Sequence, residues 1–210
     1  LPHFPDQPFP RIVDLAAALR GEMRGEIEYH VEPGNSLVGD SFGLLCTLVA
    51  LKESRGRRWG ICDVGTDQLV KHTVARWEHQ IVDADGRPLP TEGEDALAGP
   101  LCFAGDVLLP STDLSGLRAG DPLLVRHAGS YCEAIASRFN GRLSPPTVVL
   151  TANGEERLER RREDAFFEPM GQSYRPAGLV SPMRRGTALD PKRVSELQSP
   201  YMHRLAEEEG

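Results

Sequence analysis

The chain has no apolar run approaching the roughly 18 residues that a membrane-spanning helix needs. It shows no charged-then-apolar leader ahead of a small-residue cleavage site either, so it reads as a soluble, cytoplasmic protein. Its four cysteines, Cys46, Cys62, Cys102 and Cys132, form no CxxC pair, and none stands with a histidine at zinc-finger spacing. They read as free thiols in a reducing compartment, with no metal site. Lysine and arginine number 24 against 31 acidic residues, for a formal charge of -7, and short basic runs such as Arg160 to Arg162 make no patch. Nucleic acid is therefore not an expected partner. Internal repeats and low-complexity tracts are lacking as well. The first residue is Leu1 rather than methionine, which suggests that the residues shown begin inside a gene product or have been processed.

What is present suffices for a core. With 210 residues, 40% of them hydrophobic, the chain can form one or two domains. After the proline-rich opening, Ile12, Leu15, Ala16 and Leu19 recur at helical spacing and predict an amphipathic helix over residues 11–23. "EIEYHVEPG" then alternates and stops at Pro33-Gly34, the pattern of a strand ending in a turn. From Phe42 onward the texture becomes short β-rich runs: "FGLLCTLVALKE", "RWGICDVG", "RWEHQIVD", "DPLLVRHAG" and "PTVVLTANGEERLERR", the last with a hairpin signal at Asn153-Gly154. The expected fold class is mainly β with flanking α. Residues 1–40 read as the end of one domain, residues 41–167 as a β-barrel or sandwich, and residues 168–210 as a surface-wrapping tail with a short helix near 191–207.

Three motifs stand out, in the order "EPGNSLVG" (32–39), "GPLCFAGDVL" (99–108) and "HAGSYCEAIASRFNGRLSP" (127–145). In the second, Gly99 and Pro100 shape a turn that presents Cys102. Together with "RRWGICDVGTDQLVKHT" (57–73), these motifs resemble the pyridoxal-phosphate-dependent decarboxylases of the alanine-racemase fold type, most closely the diaminopimelate decarboxylase branch. The resemblance covers roughly residues 10–165. It implies a β/α barrel followed by a β-barrel domain, in a homodimer with active sites at the subunit interface. The present residues would then supply the last helix and strand of the first barrel and the whole of the second. The family's Schiff-base lysine would lie on a β/α barrel, on this chain or on the partner of a heteromer.

The cofactor implied is pyridoxal 5'-phosphate, an electron sink when carbon dioxide departs. Glu32 matches the carboxylate that pairs with the pyridinium nitrogen; without the motif it would read as an ordinary strand-end glutamate. Gly34 matches a position where backbone N–H groups approach the phosphate. Asn35 stands where the family usually has arginine, and that departure removes a permanent charge and bidentate contacts. Tyr131 matches the tyrosine that reaches the phosphate, against the plainer reading of a half-buried packing residue.

Cys102 matches a cysteine contributed across the dimer interface that returns a proton to the α-carbon. A thiol titrating near about 8.5 can act as a general acid if it is kept reduced and protonated. The plainer reading, a small buried hydrophobe, suits Cys46 and Cys62 better and leaves Cys132 open. Phe103 follows Cys102 where members acting on diamino acids carry an acidic side chain. Phenylalanine offers a distal ammonium only a modest cation–π contact. The expected substrate is therefore an amino acid with an apolar, acylated or carrier-linked side chain. Lys71 lies near an arginine that meets a substrate carboxylate, and reads equally as a solvated strand-end lysine. Asp63 reads as turn-shaping and Asn140 and Arg142 as structural, while His72, His79 and His127 are dispersed. The main expectation is the carboxy-terminal part of a decarboxylase; the alternative is a non-catalytic module derived from one and kept for binding or regulation.

Overall fold

The run after Phe42 alternates, and the alternation fixes its faces: in β1 (Leu44–Ser54) Cys46 and Leu48 point into the core while Leu45 and Val49 stay exposed. The computed structural model describes residues 12–32, 34–151 and 156–158. Strand β1 turns back into β2 (Arg57–Cys62) through Arg55 and Gly56, both at positive φ (54° and 74°), as a two-residue hairpin with the right twist requires. The remaining strands of this sheet are β3 (Ile81–Val82), β4 (Asp95–Ala98), β5 (Val107–Thr112) and β6 (Pro122–Val125). Their order is β3-β6-β1-β2-β4-β5, with β2 and β4 parallel and the other neighbours antiparallel. A separate hairpin joins β7 (Val148–Leu150) and β8 (Glu156–Leu158).

Strand β1 serves two partners. Leu44 to Thr47 pair with β6, whereas Leu48 to Ser54 pair with β2, and the register shifts between Leu48 and Ala50. An irregularity of this kind bends a strand and increases its twist, so the sheet turns along β1. Leu48, Leu69, Leu97, Leu114, Leu123 and Val125 fill the inner face and are buried. Burying one such side chain contributes about 1.5–3 kcal/mol. Gly60 leaves room for them, since a Cβ there would come within 2.9 Å of both Leu48 and Leu114.

Helix α1 (Ile12–Glu22) falls where the spacing predicts it, with Asp14 in its first turn and Arg20 in its last, both favourable to the helix dipole. Two short helices, α2 (Asn35–Val38) and α3 (Val70–Val74), carry residues of the candidate site. Two expectations need correction. Residues 26–32 form no strand: their side chains are exposed, and no described strand pairs with them. Alternation alone does not hold a strand without a neighbour to accept its backbone hydrogen bonds. The run around Gln80 yields only the two residues of β3, and β4, a central strand beginning at a buried aspartate, was not anticipated. The expected tail, residues 168–210, lies outside the described residues.

Candidate functional site

The site is built on the loop that leaves β6. His127 and Tyr131 both adopt left-handed backbone (φ 58° and 54°), a costly conformation for bulky side chains that must be held by its surroundings. The loop is held against the α2 turn: Ala128 N–H donates to the Phe42 carbonyl (3.0 Å) and Gly129 N–H to that of Gly39 (3.1 Å). Only glycine fits at 129, because a Cβ there would stand 1.6 Å from the Val38 carbonyl oxygen. This docking brings Tyr131 to Gly34, where a Cβ would lie 3.1 Å from the phenol oxygen, and the Ser130 hydroxyl to the Asn35 Oδ1. Three residues singled out from the sequence, Gly34, Asn35 and Tyr131, are thus brought together.

Lys71 joins them from α3, not from a strand end, and it is not solvated. Only 4% of it is exposed. Its backbone N–H donates to the Tyr131 carbonyl (3.3 Å), and its Nζ donates to the His127 carbonyl (2.9 Å) and lies 5.2 Å from the centre of the Trp77 ring. Burial pushes the ammonium below its usual range, and no carboxylate among the described residues forms a salt bridge with it. Burial likewise lowers His127 and raises the neighbouring Cys132 thiol. Asn35, Lys71, Val74, Ala75, Trp77, Tyr131 and Ile135 line a pocket of about 290 Å³ that opens to solvent at Val74, Tyr131 and Ile135. Its wall has no carboxylate.

Cys102, Phe103 and Glu32 do not line this pocket. Cys102 is exposed whereas Cys46, Cys62 and Cys132 are buried, which resolves Cys132 as a core thiol. Phe103 is 49% exposed and the Glu32 side chain faces outward. The Cys102 turn is nevertheless fixed. The buried Asp106 carboxylate accepts from Thr66 N–H (2.7 Å), Thr66 Oγ1 (3.0 Å) and Leu101 N–H (2.8 Å). Gly65 and Gly99 close around it, since Cβ atoms there would come within 2.6 and 2.3 Å of its oxygens. Asn140 Oδ1 accepts the Cys102 N–H (3.0 Å). Asp63, expected to shape a turn, instead bonds across to β1, accepting the Thr47 N–H at 2.8 Å and donating its own N–H to the Thr47 carbonyl at 3.1 Å. Trp77, His127 and Asp106 carry no spacing signal that would have placed them here. Among the described residues no group of three metal-ligating side chains forms a site, and no helix is long and apolar enough to cross a membrane.

Comparison with known proteins gives the family of the sheet. Residues 26–129 match the family model described as pyridoxal-dependent decarboxylase, C-terminal sheet domain. The diaminopimelate decarboxylase of Escherichia coli is 33% identical over 149 residues, which are 65% of this chain and 35% of that protein. That of Methanothermobacter thermautotrophicus is 30% identical over 190 residues, covering 86% and 43% respectively. Among solved structures, diaminopimelate decarboxylase from M. jannaschii in co-complex with L-lysine superposes with a TM-score of 0.64 at 27% identity, over 75% of this chain and 37% of that one. The chain therefore spans roughly two fifths of the relatives it matches, and through residues 26–129 it belongs to the pyridoxal-dependent decarboxylase family as its carboxy-terminal sheet domain.

Proposed function

We propose that the chain is the carboxy-terminal part of a pyridoxal-phosphate-dependent amino-acid decarboxylase whose pocket takes an apolar or acylated side chain instead of a distal ammonium. The observation that carries this reading is the pocket between α2, α3 and the Tyr131 loop. Its wall offers Val74, Ala75, Trp77 and Ile135 and no carboxylate, and its one charged group is a buried lysine. A second ammonium entering there would meet a like charge, the Lys71 ammonium, and no counter-ion on the pocket wall, which disfavours it. The relatives named above are diaminopimelate decarboxylases, and one was solved with L-lysine, a diamino acid. Phe103 departs from the acidic side chain that the resemblance implies for such substrates.

Residues of this chain fit the cofactor. The Tyr131 hydroxyl stands against Gly34, 3.1 Å from where a Cβ would be, so a phosphate approaching this turn would find backbone N–H groups and a phenol donor side by side. Glu32 is proposed to pair with the ring nitrogen. When bound, pyridoxal phosphate supplies the electron sink for carbon–carbon cleavage. Cys102, on its exposed turn, is proposed to hold the proton that is returned to the substrate α-carbon in a neighbouring subunit. The domain reading stands with it: residues 1–40 as the end of a β/α barrel, 41–167 as the second domain, 168–210 as a tail. The partner is a homodimer mate, or a second chain bearing the lysine.

The test is borohydride reduction of the natively purified protein after incubation with pyridoxal phosphate, followed by denaturing mass spectrometry. A reduced pyridoxyl adduct is expected on one lysine, in a longer form of this chain or in a co-purifying chain. Absence of a specific adduct on any chain would favour the non-catalytic module instead.

A further inference from the structure

Asn140 reaches the backbone of the Cys102 turn from 38 residues away. It occupies a single 3-10 turn (Phe139–Gly141) with φ 59°, and Gly141 follows at φ 68°. Asparagine and glycine are the residues that enter this left-handed region at least cost. The segment that carries Asn140 is tied at its base to residues 63–67. Ser137 N–H donates to the Asp67 carbonyl (2.9 Å), and Arg142 Nε donates to the Asp67 carboxylate (3.2 Å) while its other nitrogen reaches the Asp63 carbonyl. The same base holds the far side of the Cys102 turn through Asp106 and Thr66. Two tethers thus rise from one foundation: Asp106 fixes Leu101, and Asn140 fixes Cys102 itself.

The two tethers differ in character. Asp106 is buried in the fold, whereas the contact of Asn140 with Cys102 is exposed and holds a turn that has little core packing around it. A proton donor acts only within hydrogen-bond reach of its target, and a misplacement of about 1 Å is expensive in rate. We propose that Asn140 is a positioning residue that fixes the direction in which Cys102 presents its thiol. The proposal rests on the reading of Cys102 as the proton donor.

Two substitutions in the complete enzyme test it. Asn140→Gly deletes the acceptor while keeping the left-handed backbone easy to adopt; Asn140→Asp keeps an oxygen in the same place. The glycine variant is expected to lower kcat about fivefold, the effect of one lost hydrogen bond, to leave KM unchanged and to raise the share of wrongly protonated product. The aspartate variant restores both. Hydrogen exchange gives a readout that needs no turnover: the Cys102 amide exchanges faster in the glycine variant and as in the wild type in the aspartate variant, while the amides of Leu48 and Arg126, bonded inside the fold, stay protected.

Wild-type kcat and wild-type exchange at Cys102 in Asn140→Gly would overturn the proposal. So would equal impairment of both variants, or loss of protection at Leu48 and Arg126, since either would make Asn140 a prop of the fold. Unaltered turnover and product distribution in Cys102→Ala would overturn the proton-donor reading separately, because the exchange of the Cys102 amide reports the tether without it.

Discussion

Gly129 decides where Tyr131 stands. The carbonyl of Val38 occupies the space that a side chain at 129 would need, at 1.6 Å from an added Cβ. Gly129→Ala must therefore push the Tyr131 loop off the α2 turn. It is expected to destabilise the protein by about 1–3 kcal/mol, as overpacking does, in urea unfolding followed by tryptophan fluorescence. An unchanged midpoint would mean that the loop can dock elsewhere. The motif "HAGSY" pointed to Tyr131, and "EPG" to Gly34, through their resemblance to the decarboxylase family; residue type alone left Tyr131 a packing residue. Lys71 was legible as a charge but not as a buried one. Its burial depends on Trp77, six residues on, and on the His127 carbonyl, which the fold brings over from β6.

At the scale of elements, β4 shows how a charged residue can begin a central strand. Asp95 is buried, accepts the Leu114 N–H at 2.8 Å and the Arg58 Nε at 3.0 Å, and the Arg58 guanidinium beside it holds its carboxyl below the usual carboxylate range. Because the folded-state value is depressed, the unfolded chain takes up the proton first. The stabilisation is fully present above the unfolded value of about 3.9 and is lost as pH falls from there through the lower folded value. Asp95→Asn is accordingly expected to cost stability at neutral pH and to flatten the loss of stability between about pH 4 and the folded value, in denaturant titrations across pH. Parallel curves for the two proteins would contradict this role. Strands β1, β2 and β6 and the hairpin of β7 and β8 were legible from alternation and turn residues. Strand β4 was not, since four residues led by an aspartate carry no periodic signal. Residues 26–32 erred the other way: they alternate, yet no described strand lies beside them.

Across the whole molecule, the curved sheet sets out two separate surfaces. One is the pocket of Asn35, Lys71 and Tyr131; the other is the Cys102 turn, exposed together with Phe103 and outside the pocket lining. That separation suits the proposed assembly, in which each chain keeps one surface for its own active site, cofactor and substrate together, and offers the other to its neighbour. The motifs single out residues of both surfaces, Asn35 and Tyr131 on one, Cys102 and Phe103 on the other. The apolar character of the pocket could not be read the same way, because Val74, Trp77 and Ile135 join it only through the packing of α3 and of the segment after Tyr131 on the sheet. The most direct measurement of the central claim is an internal competition. The complete enzyme, loaded with pyridoxal phosphate, is given equal amounts of a diamino acid and an amino acid with an apolar or acylated side chain, and decarboxylated products are counted. The account predicts that the apolar or acylated substrate wins by at least about tenfold in kcat/KM, and that Phe103→Glu narrows the gap. Preferential consumption of the diamino acid by the unaltered enzyme would contradict it.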